Sequence, residues 1–194
     1  MAVTVLGLAG SPRRKGNTET LLDWTLAAAE AAGAEVVKFR LRDLDIGCCI
    51  ACDGCSEDGV CIVDDGMDKL YPHLREADSI VLAAPIFSMG LSAQAKAMVD
   101  RCQPFWALKH VLGRQIRPEG APQRRGAFLS CAGTTYQKVF DGARQVADYF
   151  WHVLEVQPVG DLLCPGVDAK GEILDNPSAR DIAEDIGRRL AEPR

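Results

Sequence analysis

Residues 3–18 read VTVLGLAGSPRRKGNT, and the fold follows from them. The first seven form a nearly unbroken apolar run, the pattern of a strand buried on both faces of a sheet. The next nine, GSPRRKGNT (10–18), read as a loop. Beyond them Leu21, Leu22, Thr25, Ala28, Ala29 and Ala32 recur at helical spacing, with Asn17 as the expected N-cap and Gly33 as the stop.

The same alternation continues down the chain. EVVKFRL (35–41) is a second strand. DDGMDKLYPHLREA (64–77) is a helix led by acids that suit its positive end, with Pro72 as an expected kink. SIVLAAP (79–85) is a third strand, and SAQAKAMVDRC (92–102) a helix capped by Ser92. RGAFLSC (125–131), KVFDGARQVADYFWHVL (138–154), VQPVGDLL (156–163) and SARDIAEDIGRRLA (178–191) add strand, helix, strand and helix. Such alternation predicts one α/β domain over 1–194, a doubly wound five-stranded parallel sheet of order 2-1-3-4-5 between two helical layers. Two stretches break the rhythm: a cysteine loop at 47–63 and an inserted segment at 103–124, too long for a plain connection. Phe105 and Trp106 in the latter suggest a partner surface or an active-site cover; a self-packed excursion is the alternative.

Composition narrows the function classes. Hydrophobic residues make up 47% and charged residues 25% of the 194 residues, an ordinary globular balance. The net charge of −5 has the wrong sign for a general nucleic-acid binder. The longest apolar stretch, around 79–87, is too short to span a bilayer, and MAVTVLGLAG lacks the basic n-region of a signal peptide. A cytoplasmic location without nucleic-acid or membrane partners is expected. Thiols stay reduced there, which weakens disulfide stapling as a reason for the cysteine loop.

Open parallel sheets bind ligands beyond the carboxyl ends of their strands, near the switch point between strands one and three. Three loops reach that edge. In GSPRRKGNT, Gly10 and Gly16 permit tight turns, while Ser11, Asn17, Thr18, Arg13 and the free amides of the following helix would together hold one phosphate. The spacing fits neither the P-loop nor the G-x-G-x-x-G fingerprint. In APIFSMG (84–90), Pro85, Ile86 and Phe87 make a firm apolar wall that suits a flat aromatic ring. In SCAGTT (130–135), Ala132 and Gly133 let backbone amides approach a ligand edge and Thr134 can donate a hydrogen bond. Taken singly, each also reads as an ordinary turn or strand end.

Five of the eight cysteines fall in CCIACDGCSEDGVC (48–61). Cys49, Cys52, Cys55 and Cys61 form C-x2-C-x2-C-x5-C, the four thiolates an iron–sulfur cluster needs, with Gly59 available to fold the chain back and Cys48 spare. Zinc takes four thiolates as well, usually as two separated pairs. Metal-free redox thiols are the third reading. His73, His110 and His152 show no ligand spacing, Cys102, Cys131 and Cys164 read as core or loop thiols, and Asp64 and Asp65 as helix caps.

With GSPRRKGNT, APIFSMG, LSCAGTT and CIACDGCSEDGVC, and with VDAKGEILDNPSA near the end, the chain resembles the iron–sulfur flavoproteins within the flavodoxin-like NADPH-dependent FMN reductases. The resemblance implies FMN on a flavodoxin-like fold. Ser11, Arg13, Gly16, Asn17 and Thr18 would take the phosphate, Pro85, Ile86, Phe87 and Ser88 would line the ring, and Ala132, Gly133 and Thr134 would meet its polar edge. Phe87 stands where relatives often carry tyrosine. Cys49, Cys52, Cys55 and Cys61 would hold a [4Fe–4S] cluster. The implied activity is an FMN-dependent oxidoreductase passing electrons between flavin and cluster, with ferredoxin or NAD(P)H as donor and quinones or oxygen species as small acceptors. No catalytic acid or base is assigned, because the cofactors do the chemistry. The rivals are a cluster-free NAD(P)H-dependent FMN or quinone reductase, and a non-enzymatic electron carrier or metal-stabilised module. The resemblance further implies a homodimer or homotetramer.

Overall fold

A computed structural model describes residues 2–193. In chain order the elements are β1 (Thr4–Ala9), α1 (Asn17–Ala31), β2 (Glu35–Arg40), α2 (Cys55–Asp58), α3 (Met67–Glu76), β3 (Ser79–Ala83), β4 (Ile86–Phe87) and β5 (Gly90–Leu91). Then come α4 (Ala93–Asp100), α5 (Gln103–His110), β6 (Arg124–Ala132), α6 (Asp141–Leu154), β7 (Val156–Pro165) and α7 (Pro177–Ala191). The main sheet runs β2-β1-β3-β6-β7 with every pairing parallel, which is the expected 2-1-3-4-5 order of its five strands. The order in which strands are added therefore reverses between β1 and β3, where a crevice opens past their carboxyl ends.

Side chains alternate across the sheet into two cores. Leu6, Leu8, Ile80, Leu82 and Phe128 face α3, α4, α5 and α6. Val5, Val81, Ala83, Leu129 and Leu162 face α1 and α7. Burial on both sides explains why β1 and β3 read as unbroken apolar runs.

Four local expectations resolve differently from their sequence reading. The residue capping α1 is Gly16, in extended conformation, and Asn17 is already helical. Ser92 takes the N-cap position of α4 as expected, but its side chain bonds elsewhere: the hydroxyl donates to the Gly10 carbonyl at 2.5 Å and ties α4 to the first loop. The third strand ends at Ala83, and the APIFSMG stretch forms the β4–β5 hairpin, whose turn places Ser88 and Met89 at φ +48° and +66°. In 103–124, Phe105, Leu108 and Ile116 are buried in the core, while Trp106 stays at its edge. Among the described residues no helix is long and apolar enough to cross a membrane.

Helices α1 and α7 touch closely at Gly187. A Cβ there would stand 2.2 Å from the Thr25 carbonyl oxygen and 3.0 Å from the Ala28 Cβ. Alanine favours helix by about 1 kcal/mol over glycine. Overpacking against backbone costs about 1–3 kcal/mol, because the carbonyl cannot rotate away. Gly187→Ala is therefore expected to lower stability by up to about 2 kcal/mol, seen as a lower urea midpoint at unchanged m. A raised midpoint would show that propensity outweighs the clash.

Candidate functional site

Two cavities open in the molecule where the sequence places its chemistry. The first, of about 280 Å3, lies past the carboxyl ends of β1, β3 and β6. Ser11, Arg13, Gly16, Asn17, Thr18, Pro85, Ile86, Phe87 and Gly133 line it, joined by Pro12, Cys131, Val167 and Asp168. Ser88, Ala132 and Thr134 fall outside that wall. Ser88 sits at the hairpin turn, the Ala132 carbonyl accepts from Val167 N–H, and the Thr134 hydroxyl accepts from Tyr136 N–H.

One end of this cavity suits an anion. No side chain caps α1, so the amides of its first turn are left for a ligand, and the helix dipole adds positive potential. The Arg13 guanidinium donates to the Asp168 carbonyl at 3.1 Å and is held at the rim. Asn17 lines the cavity and also holds the neighbouring loop. Its amide nitrogen donates to the Ala169 carbonyl at 2.9 Å, and its oxygen accepts from Gly171 and Ile173 N–H at 3.0 and 3.4 Å. It fastens the 168–173 loop over the cavity, with the helix amides, Ser11, Thr18 and Arg13 beside it for a phosphate. The opposite wall is apolar, with Phe87 51% exposed. A Cβ on Gly133 would stand 3.0 Å from the Asp168 side chain, so glycine lets the two loops close together. A phosphate-bearing ligand with a flat ring fits this donor set.

The loop is held from below by Glu19, whose side chain is 3% exposed. Glu19 accepts from the Lys15 N–H at 2.6 Å, from Lys38 at 2.8 Å and from Arg40 at 2.5 Å. Burial alone would push its carboxyl up; the hydrogen bonds outweigh that and hold it at about 2. The first of them fixes Lys15 at φ +52°, a conformation an L residue rarely adopts unaided.

The second cavity, of about 370 Å3, belongs to the cysteine loop. Cys49, Cys52, Cys55 and Cys61 all line it, with Ile50, Ile62, Arg101, Trp106 and Tyr149; Cys48 does not. Cys55 rides on the single turn of α2. Gly59 follows at φ +84° and turns the chain back, so that Cys61 reaches the same cavity. Burial and the neighbouring sulfurs of Cys61, Cys49 and Cys52 push the Cys55 thiol up, as expected of four thiols sharing one space. Trp106 makes part of the inserted segment a wall of this cavity.

Arg101 and Asp65 organise the loop, and the sequence reading missed the first and half-read the second. Arg101 Nη1 donates to Asp65 Oδ2 at 2.5 Å and to the Gly47 carbonyl at 3.1 Å, and Nη2 donates to Asp65 Oδ1 and the Val63 carbonyl, both at 3.2 Å. Asp65 also accepts from Gly47 N–H at 2.8 Å and from Met67 N–H at 2.9 Å. Burial opposes its ionisation, but these bonds hold its carboxyl below the usual range. Residues 47, 63 and 65 bracket the cysteines, so one guanidinium closes both ends of the loop onto α4. Arg101 Nε is a buried donor without a partner among the described residues.

The family model described as NADPH-dependent FMN reductase matches residues 3–160. The chain belongs to that family. An iron–sulfur flavoprotein of Archaeoglobus fulgidus is 30% identical over 190 residues, covering 96% of this chain and 78% of that protein. One of Methanocaldococcus jannaschii is 39% identical over 101 residues, but the match spans about half of that relative, 52% of each chain. Within the FMN reductase family the chain therefore groups with the iron–sulfur flavoproteins. Among solved structures, a flavone reductase superposes with TM-score 0.73 at 22% identity, covering 97% of this chain and 62% of its own, a likeness of fold.

Two outcomes test the scaffolding of the site. Arg101→Leu strands the Asp65 carboxylate, and a broken buried pair costs about 3–5 kcal/mol. The variant is expected to lose stability on that scale and to expose the loop, read as faster alkylation of Cys55 and Cys61 in the native protein; an unchanged rate would detach Arg101 from the loop's order. The low Glu19 pKa stabilises the fold wherever the carboxylate stays ionised. That contribution is complete above the unfolded value near 4.5 and is lost as pH falls toward about 2. At neutral pH, Glu19→Gln should cost about 2–3 kcal/mol, allowing for solvent around Arg40, and the gap to the parent should shrink between those pH values. A gap constant with pH would assign the loss to packing instead.

Proposed function

We propose that the protein is an FMN-dependent oxidoreductase that passes electrons between flavin in the first cavity and a [4Fe–4S] cluster on Cys49, Cys52, Cys55 and Cys61. The observation carrying this reading is the gathering of those four thiols, and not Cys48, around one cavity walled by Arg101. A single zinc would draw four sulfurs to about 2.3 Å from one point. Zinc sites usually separate two pairs of cysteines by a longer stretch, whereas here all four come from residues 49–61 and line one cavity.

Flavin supplies two-electron chemistry when bound, and an iron–sulfur cluster supplies single-electron steps. What this chain contributes is binding and orientation. The first-turn amides of α1, Ser11, Asn17, Thr18 and Arg13 would hold the phosphate. Pro85, Ile86 and Phe87 would line the ring, and the Gly133 backbone would meet its polar edge. Asn17 keeps the 168–173 loop closed against water. The half-exposed Phe87 leaves one side open to a small acceptor such as a quinone or an oxygen species. NAD(P)H or a ferredoxin-like protein would deliver the electrons, in the cytoplasm, with neither nucleic acid nor membrane involved. Exposed Phe87, Met89 and Tyr136 near the cavity mouth support assembly into a homodimer or homotetramer.

The test is the content of iron, acid-labile sulfide and FMN in protein purified without oxygen. About four iron and four sulfide per flavin are expected, and Cys55→Ser should lose the iron while retaining FMN. FMN with neither iron nor sulfide would replace this reading with the cluster-free NAD(P)H-dependent reductase. A chain that takes up no FMN would overturn both.

A further inference from the structure

Cys131 and Cys164 lie far apart in sequence, yet the sheet makes them direct neighbours. They are register partners at the carboxyl ends of the parallel strands β6 and β7. Partner residues on adjacent strands project to the same face, and both side chains enter the core under α1 and α7. Neighbouring strands run about 4.8 Å apart, inside the Cα spacing of about 4.4–6.8 Å that a disulfide spans. Both thiols are buried, and Cys131 also forms part of the wall of the first cavity, the side from which a small molecule can approach the pair.

The two sulfurs share a hydrogen bond. Donation from Cys131 holds Cys164 down, and the same bond with burial holds Cys131 up. The pair therefore gives up its first proton as a unit, the anion being shared between two sulfurs. Cys102 shows the contrast. It is buried with only the Met98 carbonyl as partner, and burial drives its thiol well above the ordinary value.

We propose that Cys131 and Cys164 are a redox-active dithiol at the wall of the cavity, closing to a disulfide when hydrogen peroxide enters. The Cys131 sulfur attacks the peroxide, the O–O bond breaks, and water leaves with the proton, giving a sulfenic acid. The Cys164 sulfur then attacks the Cys131 sulfur, the S–O bond breaks, a second water leaves, and the S–S bond forms. Two thiols lose two electrons and two hydrogens while the peroxide becomes two waters. The couple rests on strand register and the cavity wall, and needs no flavin.

Trypsin separates the relevant thiols. Cys131 falls in residues 126–138, Cys164 in 145–170, the loop cysteines in 43–69 and Cys102 in 102–109. The full chain, with and without added FMN, is treated with hydrogen peroxide, alkylated, digested and mapped by mass. Without FMN, the two free peptides should disappear into one cross-linked species, lighter by two hydrogens than their sum and opened by dithiothreitol. In Cys164→Ser, Cys131 should instead carry a sulfenic acid that dimedone traps. Both peptides recovered fully alkylated in both arms, while the loop peptide oxidises, would overturn the proposal. Slower cross-linking with FMN supports the dithiol and places flavin over Cys131. Equal rates with and without FMN support the dithiol and tell against flavin in this cavity.

Discussion

The two-pronged pairing of Arg101 with Asp65 is the constraint on which the cysteine loop depends. Between Gly47 and Asp65 the chain has one turn of helix and little other regular structure, so its shape must be imposed from outside. Arg101 imposes it by reaching from the end of α4 to Gly47, Val63 and Asp65 at once. Burying an ion pair is costly unless the remaining donors and acceptors are used, and here both terminal nitrogens and both carboxylate oxygens are occupied. A lysine could not replace the guanidinium, because only a planar fork meets a carboxylate and two carbonyls on either side of a loop together. Four cysteines with suitable spacing become four thiols around one cavity through this anchor and the reversal at Gly59.

The first cavity is built on a different device with the same logic. The opening turn of α1 carries two anchoring side chains beside its free amides. Asn17 reaches outward to the 168–173 loop, and Glu19 reaches back to Lys15, Lys38 and Arg40. The loop that would cradle a phosphate is thus fixed from both sides. The potential at the helix terminus stays available, because the helix is capped by a glycine with no side chain to compete. Between them Ser92, donating to the Gly10 carbonyl, joins α4 to this loop, so the helix that anchors the cysteine loop also touches the phosphate loop.

Much of this was legible beforehand, for reasons particular to each stretch. VTVLGLA and SIVLAAP are strands covered on both faces, and such strands show as apolar runs without alternation. Five strands separated by helical periodicity leave few topologies, and 2-1-3-4-5 is one of the two common doubly wound orders. The β4–β5 hairpin was hidden because its turn is Ser88–Met89, while two positive φ angles in a row usually announce themselves as Asn-Gly or Gly. The inserted segment was recognised by length alone. That Phe105 and Ile116 enter the core while Trp106 walls the cysteine cavity depends on what α5 packs against.

The sequence by itself determined the α/β class, the alternation of five strands with helices, the position of the loop after the first strand and the four cysteines of the motif. These are written in local periodicity and spacing, which act over a few residues and need no knowledge of distant neighbours. Tertiary structure alone decided that Asn17 holds a loop more than 150 residues away, that Arg101 closes the cysteine loop, and that Cys131 lies against Cys164. Each of those depends on which strands are adjacent and on which face a side chain leaves, and a buried polar group takes whichever partner the fold brings within reach.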